Sequence, residues 1–187
     1  MIVCVGTVSS LRRCFVSGIG LLYLLYSVGA WAQASEAGLR AAFLYNFFKF
    51  IEWPDLQKDE LLLCALSARD SLRQSLSQIE NKHAQQLTIR VRFLDDEENL
   101  TRTLPQCQLL YMPVTGADMP LPSVIPTGTL LVVDEPDPED TRVGIALIRT
   151  RQDRIEFTVN EVAIKHAGVK VSSQLLKLAR TKPGGAS

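Results

Sequence analysis

The sequence has few of the side chains from which catalytic and metal sites are most often built. Its 187 residues include only two histidines, His83 and His166, and neither has partners at the spacing of a metal site. The chain also lacks a glycine loop that would cradle a phosphate and a nucleophile elbow. We therefore expect no metal and no cofactor, and nothing in these patterns argues for an enzyme.

An excess of charge of either sign is also missing. The chain has 20 basic and 20 acidic side chains, which leaves a formal net charge of +0 at pH 7. Such a balance produces no overall field that would attract a polyanion or an anionic lipid surface. We therefore do not expect nucleic acid to be a partner.

Residues 1–34 have the pattern of a secretory signal peptide. Arg12 and Arg13 precede an apolar run that ends in small residues, which predicts cleavage after Ala32 or Ala34. The alternative is an uncleaved membrane anchor. Glycines and serines interrupt the apolar run, however, whereas a stable span requires about 20 predominantly apolar residues. We therefore expect an exported chain that has no membrane span after cleavage.

Cysteine is scarce in the mature chain. Cleavage would remove two of the four cysteines and leave Cys64 and Cys107. In an oxidising compartment such an isolated pair is expected to form a disulfide, whereas in the cytosol it would stay reduced. Two separate buried thiols are the alternative, because free cysteine is among the most buried residue types.

Short apolar runs alternate with helical patterns through the first two thirds of the mature chain. The segments 61–66, 87–94, 107–114 and 129–134 predict strands, and the segments 68–80 and 95–103 predict helices. This alternation is typical of a mostly parallel sheet that is flanked by helices on both faces. The predicted fold class is therefore α/β.

The last third of the chain has a different pattern. The segments 143–149 and 154–159 predict an antiparallel hairpin, because only a short polar turn separates them. Asn160 and Ser172 can cap two short helices, and Gly168 can end the first of them. We expect a single domain over residues 35–182, followed by a loose tail at 183–187.

The stretch AFLYNFFKFIEWP, residues 42–54, holds six of the thirteen aromatic residues. Helical spacing predicts a helix that ends near Trp53, because Pro54 disfavours helical geometry at the residue before it. The residues expected on its buried face are Leu39, Phe43, Phe47, Phe50 and Ile51. Tyr45, Phe48 and Trp53 fall off that face, where they either pack under a neighbouring loop or serve as exposed anchors for a partner. A helix lying on a membrane is a third alternative, but few basic residues flank it.

This aromatic stretch and a second one, RIEFTVNEVAIKHAGVKVSSQLLKLAR at 154–180, resemble the YfiR family of exported proteins. The first carries the resemblance through its aromatics and Glu52-Trp53-Pro54. The second carries it through 157–160, Gly168 and the two serines that precede the leucine-rich end. The resemblance covers residues 36–180, which is most of the mature chain.

The resemblance implies a periplasmic regulator that binds the periplasmic part of an inner-membrane diguanylate cyclase and holds it inactive. Cyclic di-GMP production and biofilm formation would then respond to conditions in the envelope. It also implies a sheet flanked by helices and a structural disulfide between Cys64 and Cys107. Some members have a second disulfide near the hairpin, but residues 143–158 contain no cysteine. The identity of the cyclase, the releasing signal and the choice between monomer and homodimer are left open.

Four residues of the two motifs are candidates for binding a partner or a ligand. They are Lys49 and Trp53 from the first motif, joined by Lys177 and Arg180 if the motifs meet in space. A solvated face is the alternative for these residues. Two other functions stay open: a periplasmic small-molecule-binding module, with a pocket lined by Trp53 and basic groups, and an envelope enzyme, which would need a cleft with strongly perturbed ionisable groups.

Overall fold

A computed structural model describes residues 35–54, 56, 59–114 and 119–180. The predicted signal peptide at 1–34 and the predicted tail at 183–187 lie outside these residues. Within them, the helices are α1 (Glu36–Phe50), α2 (Asp70–Ser77), α3 (Glu97–Thr103), α4 (Glu161–Ala167) and α5 (Ser173–Leu178). The strands are β1 (Ile51–Glu52), β2 (Glu60–Leu66), β3 (His83–Ala84), β4 (Leu87–Leu94), β5 (Leu109–Met112), β6 (Leu130–Asp134), β7 (Ile145–Arg149), β8 (Ile155–Val159) and β9 (Lys170–Val171).

Seven of these strands form one sheet in the order β3-β4-β2-β5-β6-β7-β8. The pairs β4–β2, β2–β5, β5–β6 and β6–β7 are parallel, which confirms the prediction of a mostly parallel sheet. The outer pairs β3–β4 and β7–β8 are antiparallel, and the second of these is the predicted hairpin. Strands β1 and β9 pair with each other in a separate antiparallel ribbon.

Each face of the large sheet carries its own hydrophobic core, because successive residues of a strand point to opposite faces. One core, here named the α1 face, combines strand residues with residues of α1, α2, α4 and α5. The other, here named the disulfide face, combines Cys64 and Cys107 with Leu100 of α3 and with the loop residues Met119 and Ile125. The helices therefore cover the two faces unequally. Residues of α1, α2, α4 and α5 pack on the α1 face, whereas residues of α3 and of loops pack on the disulfide face.

Helix α1 forms as predicted, but its buried residues do not lie on the expected face. Phe47 is fully buried, whereas Leu39 is 37% exposed and Phe48 is completely buried. The helix packs on the sheet, where the rings of Phe47 and Phe157 lie 5.4 Å apart, and it also contacts α2, β3 and α5. Because neighbours cover the helix on several sides, the single apolar face inferred from spacing was wrong for Leu39 and Phe48.

Helix α1 ends at Phe50, three residues before the predicted end. Ile51 is extended and pairs with Val171 across the β1–β9 ribbon. The backbone N–H of Ser172 donates to the carbonyl of Phe50 at 2.9 Å. These bonds join the two sequence motifs in space, and they give the backbone after Phe50 partners in place of a further helical turn.

The two short C-terminal helices begin where capping residues predicted, and the first of them also ends where predicted. The Asn160 side chain accepts from the amides of Val162 and Ala163, and the Ser172 side chain accepts from the amide of Leu175. Gly168 ends α4 with a left-handed φ of 69°, a conformation that favours glycine.

Candidate functional site

Cys64 and Cys107 form a disulfide, with their Cα atoms 5.8 Å apart. Cys64 lies in β2, and Cys107 lies just before β5, the strand that pairs with β2 in parallel. Both residues are buried in the core of the disulfide face. The structure thus confirms the predicted bond and excludes two separate thiols.

Trp53 follows the β1–β9 ribbon and borders a cavity at the amino ends of β5 and β6. Its ring lies 5.6 Å from that of Phe48, and its indole Nε1 is buried with no hydrogen-bond partner among the described residues. The cavity has a volume of about 310 Å³. Its walls include Trp53 and Pro54, Gln106 and Gln108 before β5, and Gly128 and Gly168.

The other three candidate residues lie outside the wall of the Trp53 cavity. Lys49 is exposed in the last turn of α1, with its Nζ 5.2 Å from the ring centroid of Tyr45. Lys177 is exposed in the last turn of α5, a helix that packs against α1. Arg180 borders a different cavity, beside β7 and β8, and its guanidinium lies 3.6 Å from the Glu156 carboxylate. The motifs therefore meet, but Trp53 and Arg180 line separate cavities.

A buried polar network lies at the carboxyl end of β6. Arg40 of α1 donates to Oδ2 of Asp134 at 2.6 Å, and the Tyr111 hydroxyl donates to the same oxygen at 2.8 Å. The side chains of Arg40 and Asp134 are only 11% and 2% exposed, and Oδ1 of Asp134 has no partner within the described ranges. Arg40 also pairs with Glu36 one helical turn earlier. The sequence pattern placed Asp134 at the end of the predicted strand 129–134, and the structure agrees, because the residue is the last of the buried strand β6.

Burial controls the ionisation of this network. Burial raises the pKa of Asp134, and the lowering by Arg40 and by the Tyr111 hydroxyl does not cancel that effect. Burial also raises the pKa of Tyr111, and the neighbouring Asp134 charge raises it further. For Arg40, burial lowers the pKa, but Asp134 and Glu36 outweigh it and raise the value. Arg40 is therefore the fixed positive charge of the network.

The part of the chain that matches a known protein family contains both sequence motifs. The model of the YfiR/HmsC-like family matches residues 37–180, which is well over half of the chain. The chain belongs to the YfiR/HmsC-like family. A comparison with curated proteins finds no match. The family match includes both motifs, the disulfide and the Trp53 cavity.

Within the residues that the structure describes, no helix of this YfiR/HmsC-like chain is both long and apolar enough to cross a bilayer. The same residues contain no cluster of three or more histidine, cysteine or carboxylate side chains placed to hold a metal ion.

Proposed function

We propose that this protein is a periplasmic regulator that binds the periplasmic part of an inner-membrane diguanylate cyclase and holds the cyclase inactive. The observation that carries the proposal is membership of the YfiR/HmsC-like family across 37–180. Cyclic di-GMP production and biofilm formation would then depend on how tightly the regulator binds.

The disulfide supports the periplasm as the compartment. Cys64 and Cys107 are bonded in the interior of the domain. Structural disulfides form and persist in oxidising compartments and are rare in the cytosol of mesophiles. Export through the predicted signal peptide at 1–34 would bring the chain to such a compartment.

Repression requires the regulator to bind one state of the cyclase more tightly than the other. To move an equilibrium from mostly active to mostly inactive takes a difference of about 5.5 kcal/mol in binding free energy. We propose that the contact surface includes Lys49 and Lys177, which are exposed on neighbouring helices, with Trp53 and Arg180 at its edges. Aromatic and arginine side chains dominate such contacts in known interfaces.

A second candidate function is the binding of a small molecule in the Trp53 cavity. The side chains of Gln106 and Gln108 give this cavity polar groups between the apolar walls formed by Trp53, Pro54 and Leu56. Sites for small molecules commonly combine such walls with a few polar groups. The basic groups expected beside Trp53 are not among the wall residues that the structure describes.

The repressor proposal can be tested in cells that produce this protein together with a diguanylate cyclase with a periplasmic segment, encoded in the same genome. Cyclic di-GMP is measured in cell extracts with and without the regulator. We expect the regulator to lower cyclic di-GMP and the double variant Lys49→Glu/Lys177→Glu to restore it. Unchanged cyclic di-GMP, with the regulator present in the periplasmic fraction, would contradict repression of that cyclase.

The control variant is Lys165→Glu. Lys49, Lys165 and Lys177 each lie in the last turn of a helix, so reversing the charge carries a similar helix-dipole cost at each position. Lys165→Glu should still repress. If the control and the double variant lost repression equally, the proposed contact surface would be wrong. The proposal that the wild type represses the cyclase would still stand.

A further inference from the structure

The order of the parallel strands creates a crevice between β2 and β5. From β2 the chain passes to β4 through α2 on the α1 face, and from β4 it returns to β5 through α3 on the disulfide face. After β5 it continues on the disulfide face, where Met119 and Ile125 are buried. The segments that follow β2 and β5 thus leave toward opposite faces. In open α/β sheets, ligands bind in the crevice that this divergence opens at the carboxyl ends of the strands.

A cleft of about 680 Å³ occupies this position. Its walls come from several elements and include Arg69 and Leu72 after β2, Pro113 and Val114 after β5, Arg149 at the end of β7, and Arg40 of α1. Val114 is half exposed, so the cleft presents apolar surface beside its guanidinium groups. It lies at the opposite strand ends from the Trp53 cavity.

Among the described wall residues of the cleft, Arg69 is the one arginine whose charge is not paired with a carboxylate. Its acidic wall residues are Glu36 and Glu135, and both are engaged: Glu36 pairs with Arg40 and Arg149, and Glu135 accepts from the backbone N–H of Arg149. Arg69 is exposed in the cleft and makes no ion pair with any other described residue. An anion that enters the cleft would therefore meet Arg69 without having to displace a carboxylate from it.

The start of α2 adds to this positive potential. Arg69 is the N-cap residue of α2, and no side chain among the described residues accepts from the first amides of the helix. The first turn also holds the exposed carboxylate of Asp70, which is not among the wall residues of the cleft. Ser71, in the first turn, also lines the cleft. Unpaired amides and the positive end of the helix dipole favour an anion at such a position.

We propose that the cleft between β2 and β5 binds a small organic anion, a carboxylate or a phosphate monoester. Arg69 and the start of α2 hold its acidic group, since a guanidinium presents paired donors that match either anion. Leu72, Pro113 and Val114 contact its apolar part. This inference goes beyond the repressor function and does not depend on it, because it concerns a different part of the surface and is tested on the isolated protein.

The test uses the purified, oxidised protein labelled with ¹⁵N and three probes of similar size. Benzoate and phenyl phosphate carry the two acidic groups, and benzamide is the neutral counterpart of benzoate. We expect both anions, or one of them, to shift the amide signals of residues 69–72 and Val114, and benzamide to leave these signals in place. The anion with the lower dissociation constant identifies the preferred acidic group.

Two variants at the start of α2 and a control variant on α3 separate binding at Arg69 from general attraction to the protein. Arg69→Gln should weaken binding by about tenfold or more, since hydrogen bonds to charged groups contribute about 1.5–3 kcal/mol and 1.4 kcal/mol is tenfold. Ser71→Glu places a carboxylate in the first turn of α2, where it suits the helix dipole but repels an anion. Arg102→Gln, which makes the same charge change on α3, should bind both anions as the wild type does.

Three results would overturn the proposal. One is the absence of shifts at residues 69–72 and at Val114 with both anions at millimolar concentration. Another is an equal shift with benzamide, which would show that the acidic group is not recognised. The third is equal weakening by Arg69→Gln and Arg102→Gln, which would show that only net charge matters. Thermal unfolding of each variant checks that the fold is intact, and Ser71→Glu gives an independent result if Arg69→Gln is unstable.

Discussion

Loss of the Cys64–Cys107 disulfide is expected to lower the free energy of unfolding by about 4 kcal/mol. The bond joins residues 43 positions apart. The chain-entropy model assigns about 4 kcal/mol to a loop of this length, because the unlinked unfolded chain gains conformations that the bond had excluded. Domains are typically stable by about 5–15 kcal/mol, so the reduced protein would lose a large share of its stability.

Two perturbations separate the bond from the packing of its sulfur atoms. Reduction of the wild type breaks the bond and leaves both sulfurs in the core of the disulfide face. The variant Cys64→Ala/Cys107→Ala breaks the bond and also leaves two small cavities where the sulfurs packed. Because both positions are buried, the variant should be less stable than the reduced wild type.

The measurement is urea unfolding followed by circular dichroism, with the oxidised wild type, the reduced wild type and the variant compared at the same temperature. The slope of free energy against urea should rise on reduction, because the unlinked unfolded chain exposes more surface. A loss of less than about 1 kcal/mol on reduction, with an unchanged slope, would refute the entropic reasoning. Reduction should also accelerate as urea is added, since a reductant reaches the buried bond only in opened molecules.

Three further predictions concern single positions. Tyr111→Phe removes the hydroxyl that donates to Asp134 and should lower the free energy of unfolding, measured in urea, by about 1.5–3 kcal/mol. Tyr45→Phe removes an exposed hydroxyl that lies 3.2 Å from a carbonyl and should lower it by less than about 1 kcal/mol. Equal losses would contradict the buried network. Because burial raises the pKa of Asp134 above 3.8, the unfolded state loses this proton first as the pH rises, and the contribution of Asp134 to stability should fall between the two pKa values. Urea unfolding of wild type and Asp134→Asn at stepped pH measures this contribution as a difference, and a difference that grew with pH would have the wrong sign. Gly168→Ala places a side chain at a left-handed φ of 69° and should lower the free energy of unfolding by about 1–2 kcal/mol. Gly168→Asn should lower it by less, because asparagine tolerates this conformation better. Thermal unfolding of the two variants checks the order.

The candidate site could be predicted from the sequence only in part. Spacing and capping residues identified the helix that carries Lys49 and the helix that carries Lys177, because these patterns act within a few residues of chain. They could not show that Trp53 and Arg180 line different cavities, since that depends on how the ribbon and the hairpin are placed against the sheet. Arg40 and Asp134 are 94 positions apart in the chain, so no local sequence pattern could predict that they pair.

The sequence by itself predicted the helices, the longer strands and, for an oxidising compartment, the cross-link. The apolar runs became strands, Asn160 and Ser172 became helix caps, and the two cysteines of the mature chain became one disulfide. Each of these follows from local backbone chemistry or from the count of one residue type. The tertiary structure decided which strands are neighbours, which sides of α1 are covered, and where the segments after β2 and β5 diverge. These features depend on packing between segments that are distant in the sequence. The free energy of that packing depends on the assembled core, so no short stretch of chain can predict it.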